Sequence, residues 1–307
     1  MDSFKFNASD GKKIHCYHWP AGGDPKAIVH IAHGMGEHAA RYDWAASKLA
    51  QAGYEVYAND HRAHGLTADV LGDFGEDGWN RTVTDLDEII RDLKAKHPGK
   101  PVILFGHSMG AMLSQQYIAK YGNTLDATLD AVILSGSPGS GSRFQMWLMH
   151  TIARFERWRV GGQAESALLQ GLLFGSSNKD FDDEPDATGY EWLSRDKAQV
   201  RLYVDDPMCG FVPCPRSICD LFAAERANWK KRRINQIPVD LPVYLFSGSA
   251  DPVHNGMKNI NRLLDSYRNH GLNPDTHFYT EGRHEMLNET NRDAVIEDVL
   301  SWLGKTL

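Results

Sequence analysis

The chain has 307 residues, of which 42% are hydrophobic and 24% charged, and its formal net charge is −7. This length and composition allow a sizeable buried core and are typical of an ordered globular protein rather than a disordered one. The acidic balance argues against nucleic acid as a partner, because phosphate binding needs a basic face, and against strong attraction to anionic membranes.

No part of the sequence predicts a membrane anchor. No apolar run approaches the roughly 20 residues that span a bilayer, and residues 1–7 lack the basic start and apolar run of a signal peptide. We therefore expect a cytoplasmic protein without a transmembrane segment, which makes at most transient contact with a membrane surface.

The predicted elements begin with an antiparallel hairpin, residues 3–7 and 12–19, around the turn Ser9-Asp10-Gly11. Apolar runs typical of strands then alternate with amphipathic stretches typical of helices, which indicates βα units around a mostly parallel sheet. The predicted strands cover residues 27–32, 54–58, 101–105, 131–135, 242–247 and 276–279. The predicted helices cover residues 42–52, 82–96, 111–121, 256–268 and 291–303. Residues 1–137 and 239–307 are therefore predicted to form one α/β core.

The alternation stops between Pro138 and Pro238, which predicts a largely helical cap over residues 138–238. Near its start, apolar side chains recur at spacings of three and four and so share one helical face: Phe144, Trp147, Leu148, Ile152 and Phe155. A second apolar cluster ends at Phe174. Both groups could pack on the core or form an acyl-binding wall, so Phe144, Trp147 and Phe174 are candidate substrate contacts. These aromatic side chains favour medium or long acyl chains.

The cysteines do not form a complete metal-binding motif. Cys209, Cys214 and Cys219 are each separated by four residues, the widest spacing of the C-x₂₋₄-C pair of structural zinc, and they have no fourth ligand nearby. We predict reduced, structural thiols here and at Cys16. The acidic run at residues 180–186 lacks the glycine and terminal glutamate of a calcium-binding loop, which favours a solvated loop. The sequence thus predicts no metal ion.

The strongest local motif is Gly106-His107-Ser108-Met109-Gly110, directly after a predicted strand and before a predicted helix. A serine at such a position lies on a sharp turn that exposes its hydroxyl, and the flanking glycines are needed because a Cβ would clash there. The helix N-terminus then points its free N–H groups toward a reacting carbonyl. Ser108 is therefore the predicted nucleophile, and the alternative is a glycine-rich turn with an idle serine.

A second loop, His33-Gly34-Met35-Gly36-Glu37-His38, follows the predicted strand at residues 27–32, where an oxyanion-hole loop is expected. The backbone N–H groups of Met35 and Met109 are predicted to bind the oxyanion, and Gly34 is a candidate substrate contact. The alternative is that the glycines only form a tight turn.

The base and the acid follow from position along the chain. Where the serine lies on a sharp strand-to-helix turn of this kind, the triad residues occur along the chain in the order serine, acid, histidine. His284 follows the last predicted strand and is the predicted base, and Asp251 follows the penultimate strand and is the predicted acid. Asp240 and Asp275 compete with Asp251, but each precedes a strand and would lie at the opposite edge of the sheet.

Together these motifs resemble the monoacylglycerol lipase and lysophospholipase branch of the α/β-hydrolases. The matching strings are HGMGEHAARY at 33–42, NDHRAHGLT at 59–67, GHSMGA at 106–111, SGSADPV at 247–253 and GRHEMLNE at 282–289. The resemblance implies an α/β-hydrolase fold and a serine esterase that acts on glycerol esters, lysophospholipids or simpler acyl esters, without an organic or metal cofactor. It also implies that six residues lie near the pocket, where we favour structural or hydrogen-bonding roles for them: Glu37, His38, Asp60, His61, Arg62 and His64.

The predicted function is hydrolysis of a carboxylic ester through an acyl-serine intermediate, with a small acyl ester or lipid as the partner. The same triad would serve an acyltransferase or a thioesterase, and both alternatives stay open. A non-catalytic binding protein of the same fold is a third alternative, but such proteins often lack the serine or histidine that this sequence retains.

Overall fold

The computed structural model describes residues 1–124, 129–175, 177–181, 187–228 and 231–307. The strands in these ranges are β1 (Asp2–Asn7), β2 (Lys13–Trp19), β3 (Ile28–Ala32), β4 (Glu55–Asn59), β5 (Val102–His107), β6 (Ala131–Ser135), β7 (Val243–Gly248) and β8 (Asp275–Tyr279). The helices are α1 (Asp43–Gln51), α2 (Gly78–Lys96), α3 (Met109–Tyr121), α4 (Arg143–Val160), α5 (Ala167–Leu173), α6 (Lys197–Val204), α7 (Pro215–Asn228), α8 (Lys231–Ile234), α9 (Lys258–His270) and α10 (Arg292–Thr306).

Eight strands of the described ranges form one sheet in the order β1-β2-β4-β3-β5-β6-β7-β8. The hairpin β1–β2 is antiparallel, as is the pairing of β2 with β4, and the remaining neighbours are parallel. The predicted hairpin and the predicted mostly parallel sheet are therefore confirmed, with small shifts at the strand ends.

Both faces of the sheet are covered by helices. Along β5, Val102 and Leu104 belong to a core that includes side chains of α2, α3 and α9, whereas Ile103 and Phe105 belong to a second core shared with α1 and α10. A parallel strand that is buried on both faces reads as a continuous apolar run, and this explains why the sequence pattern identified these strands.

The segment between β6 and β7 contains α4 to α8 and no strand among its described residues. Helix α4 packs against α7, so the largely helical insertion is confirmed. Residues 182–186 of the acidic run lie outside the described residues. The four cysteines have free thiols. None of the described helices is both long enough and apolar enough to cross a membrane.

The carboxyl ends of the parallel strands place the predicted site residues at one edge of the sheet. Strands β3 and β5 are neighbours, with Ala32 opposite Gly106, so the loop at residues 33–38 lies beside Ser108. Asp251 and His284 follow β7 and β8, which are also neighbours. Ligand sites of open α/β sheets form at this edge.

Candidate active site

Ser108 occupies the turn between β5 and α3 in a strained conformation, with φ 52° and ψ −113°. The turn is possible because its flanking residues are glycines. A Cβ added to Gly106 would lie 2.4 Å from the carbonyl oxygen of Gly110, and one added to Gly110 would lie 1.9 Å from that of Ala32. The structure thus provides the crowding that the sequence analysis expected, and strain of this kind is concentrated at functional sites.

His284 and Asp251 form a buried hydrogen-bonded pair. The Nδ1 atom of His284 lies 2.9 Å from Oδ2 of Asp251, and because a carboxylate only accepts, Nδ1 carries the proton. The carboxylate is held in turn by Ser247, whose hydroxyl donates to Oδ2 at 2.8 Å, and by the N–H of Val253, which donates to Oδ1 at 2.9 Å. The Nε2 atom of His284 is therefore the nitrogen left to act as a base.

The environment of this pair favours its charged form. Burial by itself lowers the pKa of His284, but the negative charge and hydrogen bond of Asp251 outweigh it and leave the pKa raised above 6.5. Burial likewise raises the pKa of Asp251, and the attraction of His284 outweighs it, so the net direction is downward. An imidazole whose charged form is stabilised in this way can accept a proton from the serine and hold it during the reaction.

The loop that carries His284 is attached to the 138–238 segment. The N–H of His284 donates to the carbonyl of Trp192 at 3.3 Å, and the N–H of Glu285 donates to that of Leu193 at 2.8 Å. The Trp192 ring also lies against the imidazole, with centroids 5.0 Å apart. Trp192 and Leu193 were not identified by the sequence analysis, because no motif marks them.

Ser108 and His284 line the same cavity. Of the predicted substrate contacts, Gly34 and Phe174 line it, together with Met35. The other lining residues are Glu37, His107, Trp192, Leu193, Tyr203 and Glu285. Met109 begins α3, so its backbone N–H lies in the first helical turn, where no intrahelical acceptor exists.

Phe144 and Trp147 do not line this cavity. They lie on an outward face of α4 and are 67% and 48% exposed, while Met149 and Ala153 of the same helix pack on the core. The helical period predicted the amphipathic helix, but apolar residues occupy more than one of its faces, and the period alone did not indicate which face packs.

The 33–38 loop is fixed by a buried carboxylate. Oε1 of Glu37 accepts the N–H of Gly34 at 2.6 Å and the hydroxyl of Tyr42 at 2.9 Å. Arg41 bridges Glu37 and Glu285. Its Nη1 lies 2.5 Å from Oε2 of Glu37, and its Nη2 lies 2.7 Å from Oε2 of Glu285. Burial raises the pKa of Glu37, but the Arg41 charge outweighs it and the net direction is downward. Glu37 is therefore ionised and orients the peptide between His33 and Gly34, one residue before the peptide that carries the Met35 N–H.

Neutral histidines also hold the 33–38 loop through hydrogen bonds. Nε2 of His33 accepts the N–H of His61 at 2.9 Å, and Nε2 of His64 accepts the N–H of Gly36 at 3.3 Å. Burial lowers the pKa of both His33 and His64 to about 3. Imidazoles that accept hydrogen bonds in this way must be neutral, so these residues hold the loop rather than transfer protons.

The chain matches a known protein family and is similar to several known proteins. Residues 23–291 match the family described as serine aminopeptidase, S33. The chain is 27% identical to a monoglyceride lipase of Rattus norvegicus over 79% of this chain and 71% of the rat protein. It is also 27% identical to a monoacylglycerol lipase of Mycolicibacterium smegmatis, over 93% of this chain and 90% of that protein. Among solved structures, a thermostable carboxyl esterase of Bacillus coagulans in complex with glycerol superposes with a TM-score of 0.89 at 27% identity, covering 99% of this chain and 98% of the esterase.

Proposed function

The chain belongs to the serine aminopeptidase S33 family and is a serine hydrolase of the α/β-hydrolase fold; on that basis we propose that it cleaves carboxylic esters with Ser108, His284 and Asp251. The proposal depends on one observation. A strained serine and a histidine paired with a buried carboxylate line one cavity at the carboxyl edge of the sheet.

The proposed reaction begins when the ester carbonyl accepts hydrogen bonds from the N–H groups of Met35 and Met109. Ser108 Oγ attacks the carbonyl carbon, and its proton passes to Nε2 of His284. The imidazolium, stabilised by Asp251, then protonates the leaving alcohol. A water molecule, deprotonated by His284, attacks the acyl-serine, and the acid departs as Ser108 regains its proton. No step calls for an organic cofactor or a metal ion.

The chemistry of the cavity supports an ester of a polar alcohol and an apolar acyl group. Glu37, His107 and Tyr203 contribute polar atoms, whereas Phe174 and Leu193 contribute apolar surface. Monoacylglycerols and lysophospholipids combine these properties, and the relatives named as monoglyceride lipases favour the first. The proposed substrates are therefore monoacylglycerols, lysophospholipids or related acyl esters.

We also propose that the 138–238 segment acts as a cap. It supplies Phe174, Trp192, Leu193 and Tyr203 to the cavity, and it holds the His284 loop through two backbone hydrogen bonds. The exposed apolar side chains on α4 would allow transient contact with a lipid surface, from which such substrates are taken up. The cytoplasmic location stays a prediction.

The test is labelling with a fluorophosphonate, followed by mass spectrometry. We expect one adduct, on Ser108, which is lost in Ser108→Ala and kept in the control variant Ser301→Ala, because Ser301 is exposed on α10. The labelled enzyme should lose its hydrolysis of monoacylglycerols. Absence of an adduct from folded protein, or an adduct on another serine, would refute the proposal.

Substrate class and reaction type need a second measurement. kcat/KM across p-nitrophenyl esters of increasing length, monoacylglycerols, lysophospholipids and acyl thioesters should rank the carboxylic esters above the thioesters and the longer chains above acetate. Products formed with and without added alcohols distinguish hydrolysis from acyl transfer. A sharp preference for acetate would remove the lipid assignment, and turnover restricted to aminoacyl anilides would remove the esterase assignment.

A further inference from the structure

Three side chains with metal-ligating atoms lie together beside the 33–38 loop and are not part of the proposed triad. They are His38, Asp206 and Cys209, and one potential ligand atom of each lies within 4.8 Å of the others. His38 comes from the loop after β3, whereas Asp206 and Cys209 come from the turn between α6 and α7. The cluster therefore joins the core to the 138–238 segment.

The histidine of this cluster is buried and only partly satisfied. His38 is 5% exposed, and its Nε2 lies 2.8 Å from Oδ2 of Asp206. Its Nδ1 is buried and has no hydrogen-bond partner among the described residues. A buried polar atom without a protein partner is unusual in a folded protein, and a bound water or ion is one of the established ways to satisfy it. A ligand at this cluster could satisfy it directly or after a ring flip.

The backbone already holds the three side chains in place. The N–H of Gly210 donates to the carbonyl of Gly36 at 2.9 Å, and the N–H of Met208 donates to Oδ1 of Asp206 at 2.8 Å. A Cβ on Gly36 would lie 3.0 Å from the carbonyl oxygen of Phe211, so the two segments are in close contact. Binding of an ion would therefore require little ordering of the chain.

The local charge also favours a cation. The positive charge of Arg41 acts on Cys209, but its guanidinium is paired with both Glu37 and Glu285. The carboxylates of Glu37 and Glu285 and the guanidinium of Arg41 together carry one net negative charge. The carboxylate of Asp206 adds another negative charge. An ion at the cluster would thus enter a negative environment.

We propose that His38, Asp206 and Cys209 bind a thiophilic divalent cation of the Zn²⁺ class, which cross-links the 33–38 loop to the 138–238 segment. One nitrogen, one carboxylate oxygen and one sulfur are the donor types that zinc takes, with water in the fourth position. Mg²⁺ and Ca²⁺ prefer oxygen ligands throughout and do not suit this set. The sequence analysis could not find the site, because His38 and Asp206 are 168 positions apart.

Binding replaces the proton of Cys209 with a metal–sulfur bond, and the proton passes to solvent. A metal ion binds the thiolate form of a cysteine, whereas an ordinary thiol is protonated at neutral pH. The affinity for the cation therefore increases with pH, because the proton that competes with the metal becomes scarcer.

The experiment is titration of the full chain with Co²⁺, which substitutes for zinc and absorbs in the near ultraviolet when a thiolate binds it. We expect saturation at one ion per chain with a thiolate-to-cobalt absorption band, displacement by Zn²⁺, and a melting temperature raised by a few degrees and restored by a chelator. Cys209→Ser should remove the band and weaken binding by more than about 100-fold, since loss of an outer-shell partner alone costs about 10- to 100-fold.

Two further variants separate this site from other cobalt-binding groups. Asp206→Asn keeps a polar partner for His38 but removes a charged ligand, so binding should weaken while the band persists at saturation. Cys219→Ser, which alters a buried thiol on α7 outside the cluster, should bind as the unmodified protein does. The proposal is overturned by the absence of saturable binding at one ion per chain, by a band that persists in Cys209→Ser, or by loss of the band in Cys219→Ser.

Discussion

Asp251→Asn is the substitution whose consequence the structure defines most closely. Oδ1 of Asp251 accepts the N–H of Val253, and this bond keeps the amide oxygen of an asparagine at the Oδ1 position. The amide NH₂ then replaces Oδ2 and faces Nδ1 of His284. Two donors cannot share a hydrogen bond, so Nδ1 must become the acceptor. The ring proton moves to Nε2, which can no longer take the proton of Ser108.

The expected loss follows from this change of tautomer. The same replacement in a serine protease triad lowers kcat by about 10⁴, which corresponds to about 5.5 kcal/mol of transition-state stabilisation at 1.36 kcal/mol per tenfold. The fold should tolerate the change, because the hydroxyl of Ser247, which donates to Oδ2 at 2.8 Å, can rotate to accept from the new amide. KM should change little, since Asp251 is buried and does not line the cavity.

The assay is steady-state hydrolysis of a p-nitrophenyl ester, with circular dichroism and melting temperature to verify the fold. Asp240→Asn is the matched control, because Asp240 is exposed and precedes β7, and its kcat should equal that of the unmodified enzyme. Folded Asp251→Asn that retains more than about a tenth of the unmodified kcat would refute the tautomer argument, and so would an equal loss in the control.

Three other predictions concern the protonation of His284, the turn at Ser108 and the 33–38 loop. Because the neutral form of His284 is the base and its pKa is raised, kcat/KM should rise with pH through a midpoint above the ordinary 6.5; a midpoint below it would contradict the pairing. Gly110→Ala should lower the free energy of unfolding in urea by more than about 3 kcal/mol, because the added Cβ would lie 1.9 Å from a carbonyl oxygen. In the control Gly304→Ala the added Cβ meets nothing within 4 Å, so the free energy of unfolding should rise by about 0.5–1 kcal/mol. Glu37→Ala removes the acceptor of the Gly34 N–H and should lower kcat on p-nitrophenyl esters by about 10²-fold; an unchanged kcat would show that the loop keeps its shape without it.

The sequence predicted the strands well for a physical reason. A parallel strand buried on both faces carries apolar residues throughout, so β5 and β6 read as uninterrupted runs. The residues that follow each strand then lie at a known edge of the sheet. Local sequence and strand order were thus sufficient to bring Ser108, Asp251 and His284 to one edge.

Contacts between distant segments were beyond this reasoning. Arg41 and Glu285 are 244 positions apart, and nothing near either residue indicates the other. Trp192 and Tyr203 reach the cavity only because the 138–238 segment folds back over the sheet. Periodicity identifies an amphipathic helix, but the orientation of that helix depends on its neighbours, and for this reason Phe144 was expected in the cavity and lies on the surface.

The neighbouring positions of β6 and β7 have an evolutionary consequence. The chain leaves the sheet after Ser135 and re-enters at Val243, and the two strands are joined by a continuous hydrogen-bonded ladder. Any segment that replaces the intervening residues must start at the end of β6 and finish at the beginning of β7. The hydrogen bonds between these strands fix the distance between those two points. Doubling the length of a flexible connection adds only about 0.6 kcal/mol of closure entropy. Descendants of such a scaffold can therefore exchange much of this portion and so alter which molecules they admit, provided that the replacement still offers backbone acceptors to the N–H groups of His284 and Glu285.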